Sequence, residues 1–311
     1  MSAEHPIIAI ISPSGAGSSS VTKAFEHIFW RERVKAVYIQ GSAFHRYDRK
    51  QMQQEILNAK AQGQVLSHYG PAANHLNKLE SLFFEYATVG TGLARYYLHT
   101  KKFAEQYDQE PGTFTPWKKL PKNSDLLLYR GLHGAAICDD IDISQYPDLM
   151  IGIAPNINLE WIRKMKRDNT LRDYTPDQVR ETIIERMKDY VQHITPQFSR
   201  THINFQMIPV VDTSDPFSAM DEPREEECYL VVNFQKIENP DFPKLMNLIP
   251  EAIMSGNKTL VVPGSQMIHV LEVILMPLIH QLVEKSREIR NVEKPPKQKK
   301  SGLLGMLSQS Y

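Results

Sequence analysis

Short, wholly apolar runs alternate along the chain with longer segments whose apolar residues recur every three or four positions. Residues 7 to 11 read IIAII, with no polar interruption, as a strand covered on both faces should. A small-residue loop, SPSGAGSSS, follows, and then VTKAFEHIFWRERV places Val21, Phe25, Ile28 and Phe29 on one helical face. Strand character returns at 35–40, KAVYIQ, so the first forty residues predict a βαβ unit with a right-handed crossover. Further apolar runs predict strands at 125–129, 149–154, 206–210, 228–234 and 258–262. Helical spacing predicts helices at 50–62, 74–88, 158–171, 176–193 and 266–286. Strands interleaved with helices imply an α/β fold, a mixed sheet flanked by helices in one domain over residues 1–285. No internal repeat is present.

From Ser286 the pattern changes to SREIRNVEKPPKQKKSGLLGMLSQSY. Six Lys/Arg against two Glu give this stretch a net charge of +4, followed by a short apolar tip. The composition is that of a flexible basic tail over 286–311. Leu303, Leu304, Met306 and Leu307 could alternatively dock on a protein partner. A single short basic and apolar segment gives only weak membrane contact, so no stable anchoring is expected.

Charge narrows the partners. Lys+Arg and Asp+Glu are both 36, so no global basic field exists to attract nucleic acid. The two cysteines, Cys138 and Cys228, lie ninety residues apart and outside any CxxC. That fits a reducing compartment and gives no support to a structural zinc site. The apolar run near the N-terminus is too short for a signal or a span, and the expectation is a cytoplasmic, soluble protein.

The loop after the first strand carries candidate chemistry. Ser12, Ser14, Gly15, Ala16, Gly17, Ser18, Ser19 and Ser20 can be laid on the phosphate-loop pattern GxxxxGK[ST]. Gly17 matches the second glycine and Ser19 the hydroxyl that would hold Mg²⁺. Ser12 replaces the first glycine and Ser18 the lysine, and Pro13 removes one backbone donor. A helix N-terminus after such a loop favours an anion, though the same sequence also suits a plain connection.

Longer blocks carry a resemblance. SGAGSSS, AFHRYDR, YRGLHG, NLEWIRKMKRD and ITPQFSRTHINFQMIPVVDTSDPF resemble bacterial phosphoribulokinases, from about residue 5 to 285. The resemblance implies the mixed-sheet fold of nucleoside-monophosphate-kinase relatives. It implies transfer of the γ-phosphoryl group of ATP, with Mg²⁺, to the O1 hydroxyl of ribulose 5-phosphate. It also implies a homo-oligomer, often activated by NADH, with Arg31 at a basic position tied to that control. His45 and Arg49 match sugar-phosphate contacts, and His99 matches a residue lining the substrate site. Lys164, Arg167, Asp168 and Arg172 fall on the family's charged positions on and after one helix.

Two positions depart from the family pattern. Ser42 stands where the family has the Asp that takes the proton from the substrate hydroxyl. Arg130 stands where it has the Glu that serves the metal. A lone serine is no base near neutral pH, and losing a positioned base costs about 10²–10⁴ in rate. A unit charge at about 4 Å from another interacts by about 4 kcal/mol at an effective dielectric of 20. Against Mg²⁺, Arg130 would therefore repel where a carboxylate attracts. The sequence alone thus leads to the expectation of a phosphoribulokinase-like pseudokinase. Such a protein would keep a cationic pocket for a phosphorylated small molecule and act by binding, regulation or assembly, with ATP and Mg²⁺ in doubt. The alternative is an active phosphoribulokinase, or a related sugar kinase, with a rearranged base at Asp48 or His45. Asp139 and Asp140 read as surface acids.

Overall fold

The computed structural model describes residues 4–13, 18–171, 175–218 and 221–295. Its frame is an eight-stranded mixed sheet. The strands are β1 (Ile7–Ile11), β2 (Ala36–Gln40), β3 (Leu126–Gly131), β4 (Leu149–Ala154), β5 (Ile203–Pro209), β6 (Cys228–Phe234), β7 (Ile253–Met254) and β8 (Thr259–Pro263). Across the sheet they run in the order β7-β8-β6-β5-β4-β1-β3-β2. The five strands from β5 to β2 are parallel, whereas β5, β6, β8 and β7 pair antiparallel.

The IIAII run is apolar throughout because β1 is central. Ile8 and Ile10 join the core on one face; Ile7, Ala9 and Ile11 join the core on the other. The first face is covered by α1 (Ser18–Glu32), while α2 (Arg49–Ala61) and α3 (Leu76–Val89) follow β2, α3 covering the second face. On the far side of β4 come α4 (Ile157–Leu171) and α5 (Pro176–Asp189), and the long α6 (Met267–Arg290) packs beside α1. By length and composition α6 could cross a membrane, yet Val270, Leu271, Ile274, Leu275, Ile279 and Val283 are buried in the sheet-facing core.

Two boundaries differ from the sequence reading. β5 begins at Ile203 rather than 206, because Asn204 is buried with its polar atoms satisfied by Thr201 and the Phe198 carbonyl. The tail does not begin at Ser286. Residues 286–290 belong to α6, and Ser286 and Arg287 are almost wholly buried. Their polarity hid this: Ser286 donates to the Glu4 carbonyl and Arg287 forms a paired contact with Asp125. Leu303, Leu304, Met306 and Leu307, named as a docking tip, lie outside the described residues.

The topology fixes where a ligand belongs. β1 connects through α1 to β2 on one side, and β4 lies on the other, so the strand order reverses at β1. In open α/β sheets a ligand binds in the crevice outside the C-terminal strand ends at such a switch point.

Candidate active site

At that edge β2 and β3 end unusually close together. A Cβ on Gly41 would lie 2.6 Å from the Tyr129 hydroxyl and 2.8 Å from the Gly131 Cα. One on Gly131 would lie 2.6 Å from the Gly41 Cα. Only glycine at both positions permits the approach. Gly41→Ala is therefore expected to destabilise the fold by about 1–3 kcal/mol, the usual cost of forcing an atom into a packed site. A lowered midpoint in urea unfolding checks this.

Beyond Gly41 the chain makes a single tight helical turn, Gly41–Phe44, anchored by buried Ala43 and Phe44. Arg95 holds the turn from outside, donating to the carbonyls of Ala43 (2.9 Å) and His45 (2.6 Å). Its guanidinium in turn lies 3.5 Å from the centre of the Phe114 ring. The turn presents Ser42, whose Oγ is 2.9 Å from His99 Nε2 and 3.4 Å from Gln40 Oε1. Arg49, at the start of α2, donates to the His99 carbonyl at 3.1 Å and fixes that loop. Ser42, His45, Arg49 and His99, separate in sequence, are thus brought to one place.

His45 is not the cation that its position suggested. Its ring stacks on His68 with centroids 3.9 Å apart, and burial, reinforced by neighbouring His68, His99, His133 and Arg95, holds it well below the usual imidazole range. Burial likewise pushes His68 and His133 down to about 4, and His133 Nε2 lies 3.0 Å from the His68 carbonyl. At neutral pH these rings are uncharged hydrogen-bonding groups. Asp48, the other alternative base, is committed elsewhere: it caps α2 by accepting from Gln51 N while the Gln51 side chain returns to Asp48 N.

The loop carrying His68 leads to the second half of the site. Tyr69 packs edge-on against Tyr190, whose hydroxyl donates to Glu160 on α4. One turn on, Lys164 is pushed down to about 8, by burial first and by Arg186 next. Arg167 pairs with buried Asp168 at 2.8 Å. Glu160 is raised to about 7, chiefly by burial. Arg172 lies outside the described residues.

The loss of Lys164's charge has a readable sign. Below about pH 8 Lys164 is an ammonium and attracts an anion; above it the charge is lost. For an anionic substrate, kcat/KM is expected to fall about tenfold per pH unit beyond that point, since this quantity reports the free enzyme. Lys164→Arg should remove this decline, and a pH profile of both proteins checks it.

The phosphate-loop region sits at the same edge. Ser12 N donates to the Gly131 carbonyl at 3.0 Å, and Ser20 is buried in the first turn of α1. Ser14, Gly15, Ala16 and Gly17 lie outside the described residues, and Ser18 and Ser19 open α1. Arg130, at the end of β3 between Gln40 and Ile10 in register, donates to Thr22 Oγ1 on α1 at 2.8 Å. Its guanidinium is therefore held beside the positive end of that helix, where an anion gains from both. Among the described residues no three His, Cys, Asp or Glu side chains group to hold a metal ion. Asp139 and Asp140 are exposed beyond the strand end. Arg31 is exposed in the last turn of α1, about 20 Å along that helix from its start, and is not part of this site.

Sequence reasoning missed His68, His133, Arg95 and Arg186. His133 lies inside the YRGLHG block, so its neighbourhood was visible; His68 and Arg186 become relevant only through contacts between distant segments.

A mixed sheet whose parallel strands put a ligand edge at a strand-order switch, with α1 opening there and cationic groups beside it, is the arrangement of a P-loop-kinase-like α/β fold. Residues 7–214 match the model of the phosphoribulokinase / uridine kinase family, and the chain belongs to it. It is 46% identical over 288 residues to the chromosomal phosphoribulokinase of Cupriavidus necator, covering 92% of this chain and 99% of that protein. It is 43% identical to a probable phosphoribulokinase of Escherichia coli, covering 91% and 98%. The solved phosphoribulokinase from Rhodobacter spheroides superposes with a TM-score of 0.84 at 42% identity, over 92% of this chain and all of that one.

These similarities overturn the expectation of a pseudokinase. Relatives that align over nearly their full length carry the name of the active enzyme. At position 42 the serine is not an isolated hydroxyl: its Oγ lies 2.9 Å from the His99 Nε2.

Proposed function

We propose that the chain is an ATP-dependent phosphoribulokinase, transferring the γ-phosphoryl group of ATP to the O1 hydroxyl of ribulose 5-phosphate. The observation that carries this reading is the gathering of Ser42, His45, Arg49 and His99 around one braced turn at the ligand edge. The full-length similarity to proteins named for this activity supports it.

Each group then has a task. The N-terminus of α1 and Arg130 receive the ATP phosphates, giving fixed positive charge where negative charge redistributes during transfer. Arg49 and the Lys164–Arg167 face of α4 bind the sugar phosphate, and Asp168 orients Arg167. Neutral His45 and His68 hydrogen-bond the sugar hydroxyls without adding charge. Mg²⁺ would neutralise phosphate charge, as it does when carried on ATP with most of its water retained. The described residues do not fit a protein-held metal cage, so the chain's own contribution there is a guanidinium. An ATP-consuming sugar kinase with two free cysteines suits the cytoplasm.

The test is ADP formation from MgATP with and without ribulose 5-phosphate. Formation that requires the sugar phosphate supports the assignment, and a rate equal to the sugar-free control overturns it.

A further inference from the structure

The kinase reading leaves open what removes the proton from the attacking sugar hydroxyl. Asp48 is occupied in capping α2, and His45 is a buried ring stacked face to face on His68. Each is thus already engaged in a structural contact. Ser42 presents a polar atom at the turn that ends β2, and its Oγ has two hydrogen-bond partners; it donates to His99 Nε2 when the ring's proton is on Nδ1. The contact to His99 Nε2, at 2.9 Å, is a normal hydrogen bond, whereas that to Gln40 Oε1, at 3.4 Å, is a weak one. An imidazole nitrogen accepting from a serine hydroxyl is the arrangement that activates serine elsewhere in acid–base chemistry.

We propose that Ser42 and His99 form a proton relay that does the work of a single carboxylate, an inference that rests on the kinase reading above. As the O1 oxygen of the sugar bonds to the γ-phosphorus, its proton passes to Ser42 Oγ, and the proton of Ser42 passes to His99 Nε2. The bond from the γ-phosphorus to the bridging oxygen breaks, and its electron pair leaves on the β-phosphate of ADP. His99 ends as an imidazolium and returns its proton to solvent, while Ser42 is restored as a neutral hydroxyl. Ser42 is the catalytic residue and His99 the acceptor behind it.

The surroundings suit an imidazole that cycles its charge. Arg49 holds the His99 carbonyl rather than the ring, and the Tyr97 ring packs 4.6 Å from it, centroid to centroid. His45 and His68 are among the titratable groups that interact with it, beside the Arg49 guanidinium on its carbonyl, and both imidazoles stay neutral near pH 7. Ser42 sits on the turn that Arg95 braces, while the acceptor lies on a loop from a different part of the chain.

Steady-state ADP formation is measured from pH 4.5 to 9 for the wild type, Ser42→Ala, His99→Gln, Ser42→Asp and Ser42→Asp/His99→Gln. Thermal unfolding of each establishes that it is folded, and ¹⁵N-imidazole NMR follows His99 with and without ribulose 5-phosphate. Ser42→Ala and His99→Gln should each lower kcat by about 10²–10⁴ with KM changed by less than about threefold. The further double variant Ser42→Ala/His99→Gln, measured in the same way, should be no worse than either alone. The acid limb of the wild type should follow the titration of His99 and move to lower pH in Ser42→Asp, where a carboxylate takes the proton. In the Ser42→Asp background, His99→Gln should be tolerated. The NMR titration should place a protonation of His99 on the same acid limb. Wild-type turnover with His99→Gln unimpaired, or an acid limb unconnected with His99, overturns the relay and leaves the kinase reading standing. Absence of wild-type turnover overturns the kinase reading and the relay with it.

Discussion

Arg130→Ala is expected to lower kcat about a thousandfold, the lower end of what an arginine serving phosphoryl transfer contributes. The KM for ribulose 5-phosphate should change little, because the guanidinium faces α1 rather than the Lys164 side of the crevice. β3 delivers this side chain to the ligand edge. Register places Arg130 beside Ile10 on β1 and Gln40 on β2, the strands that lead directly into the phosphate loop and the Ser42 turn. Its hydrogen bond to Thr22 then fixes it against the first turns of α1. A positive group so placed has the same sign as the helix terminus, so an anion at that edge is attracted by both. Arg130→Lys should recover only part of the rate, since an ammonium cannot hold Thr22 and a phosphate oxygen with the same planar fork. Single-turnover kinetics separate this loss from weaker ATP binding. Unchanged kcat in Arg130→Ala would remove the guanidinium from the catalytic account.

Arg287→Ala is expected to cost about 3–5 kcal/mol of stability, the penalty for leaving one partner of a buried ion pair alone. Arg287 donates to both oxygens of Asp125, at 3.1 and 2.7 Å, and also to the Arg33 carbonyl. Asp125 accepts from Lys35 N, so this pair ties α6 to the ends of α1 and the starts of β2 and β3. The side chains are 3% and 5% exposed, so water cannot replace the missing partner. Converting the pair together to Met and Leu should cost less, because the Asp125 charge is removed with its partner, while Lys35 N loses an acceptor and Glu284 and Arg290 each lose one partner. Equilibrium unfolding in urea distinguishes the two outcomes. A single variant as stable as the double would show that the pair is not buried in solution.

How much of this was legible depended on whether partners were local. The IIAII strand was plain because both of its faces are apolar, and β2, β4, β6 and β8 were found within a residue or so for similar reasons. The start of β5 was missed because Asn204 looks like a loop residue until Thr201 and Phe198 satisfy it. Ser286 and Arg287 were assigned to a solvated tail for the same reason, their partners lying far away at Glu4 and Asp125. In the site, family resemblance located Ser42, His45, Arg49 and His99 but supplied no geometry. Ser42 and His99 are 57 residues apart, and composition contains nothing of the hydrogen bond between them. The commitment of Asp48 to a helix cap was readable, since Asp48 followed three residues later by Gln51 is a capping-box signature. The neutral state of His45 was not, because it follows from burial against His68.

The most direct test of the central claim is the ribulose 5-phosphate-dependent formation of ADP from MgATP by the unmodified chain at pH 7.5. The expected result is steady turnover that requires the sugar phosphate, yields a bisphosphorylated sugar in equal amount to ADP, and drops about a thousandfold in Arg130→Ala. ADP formation no faster with ribulose 5-phosphate than without it would contradict the account.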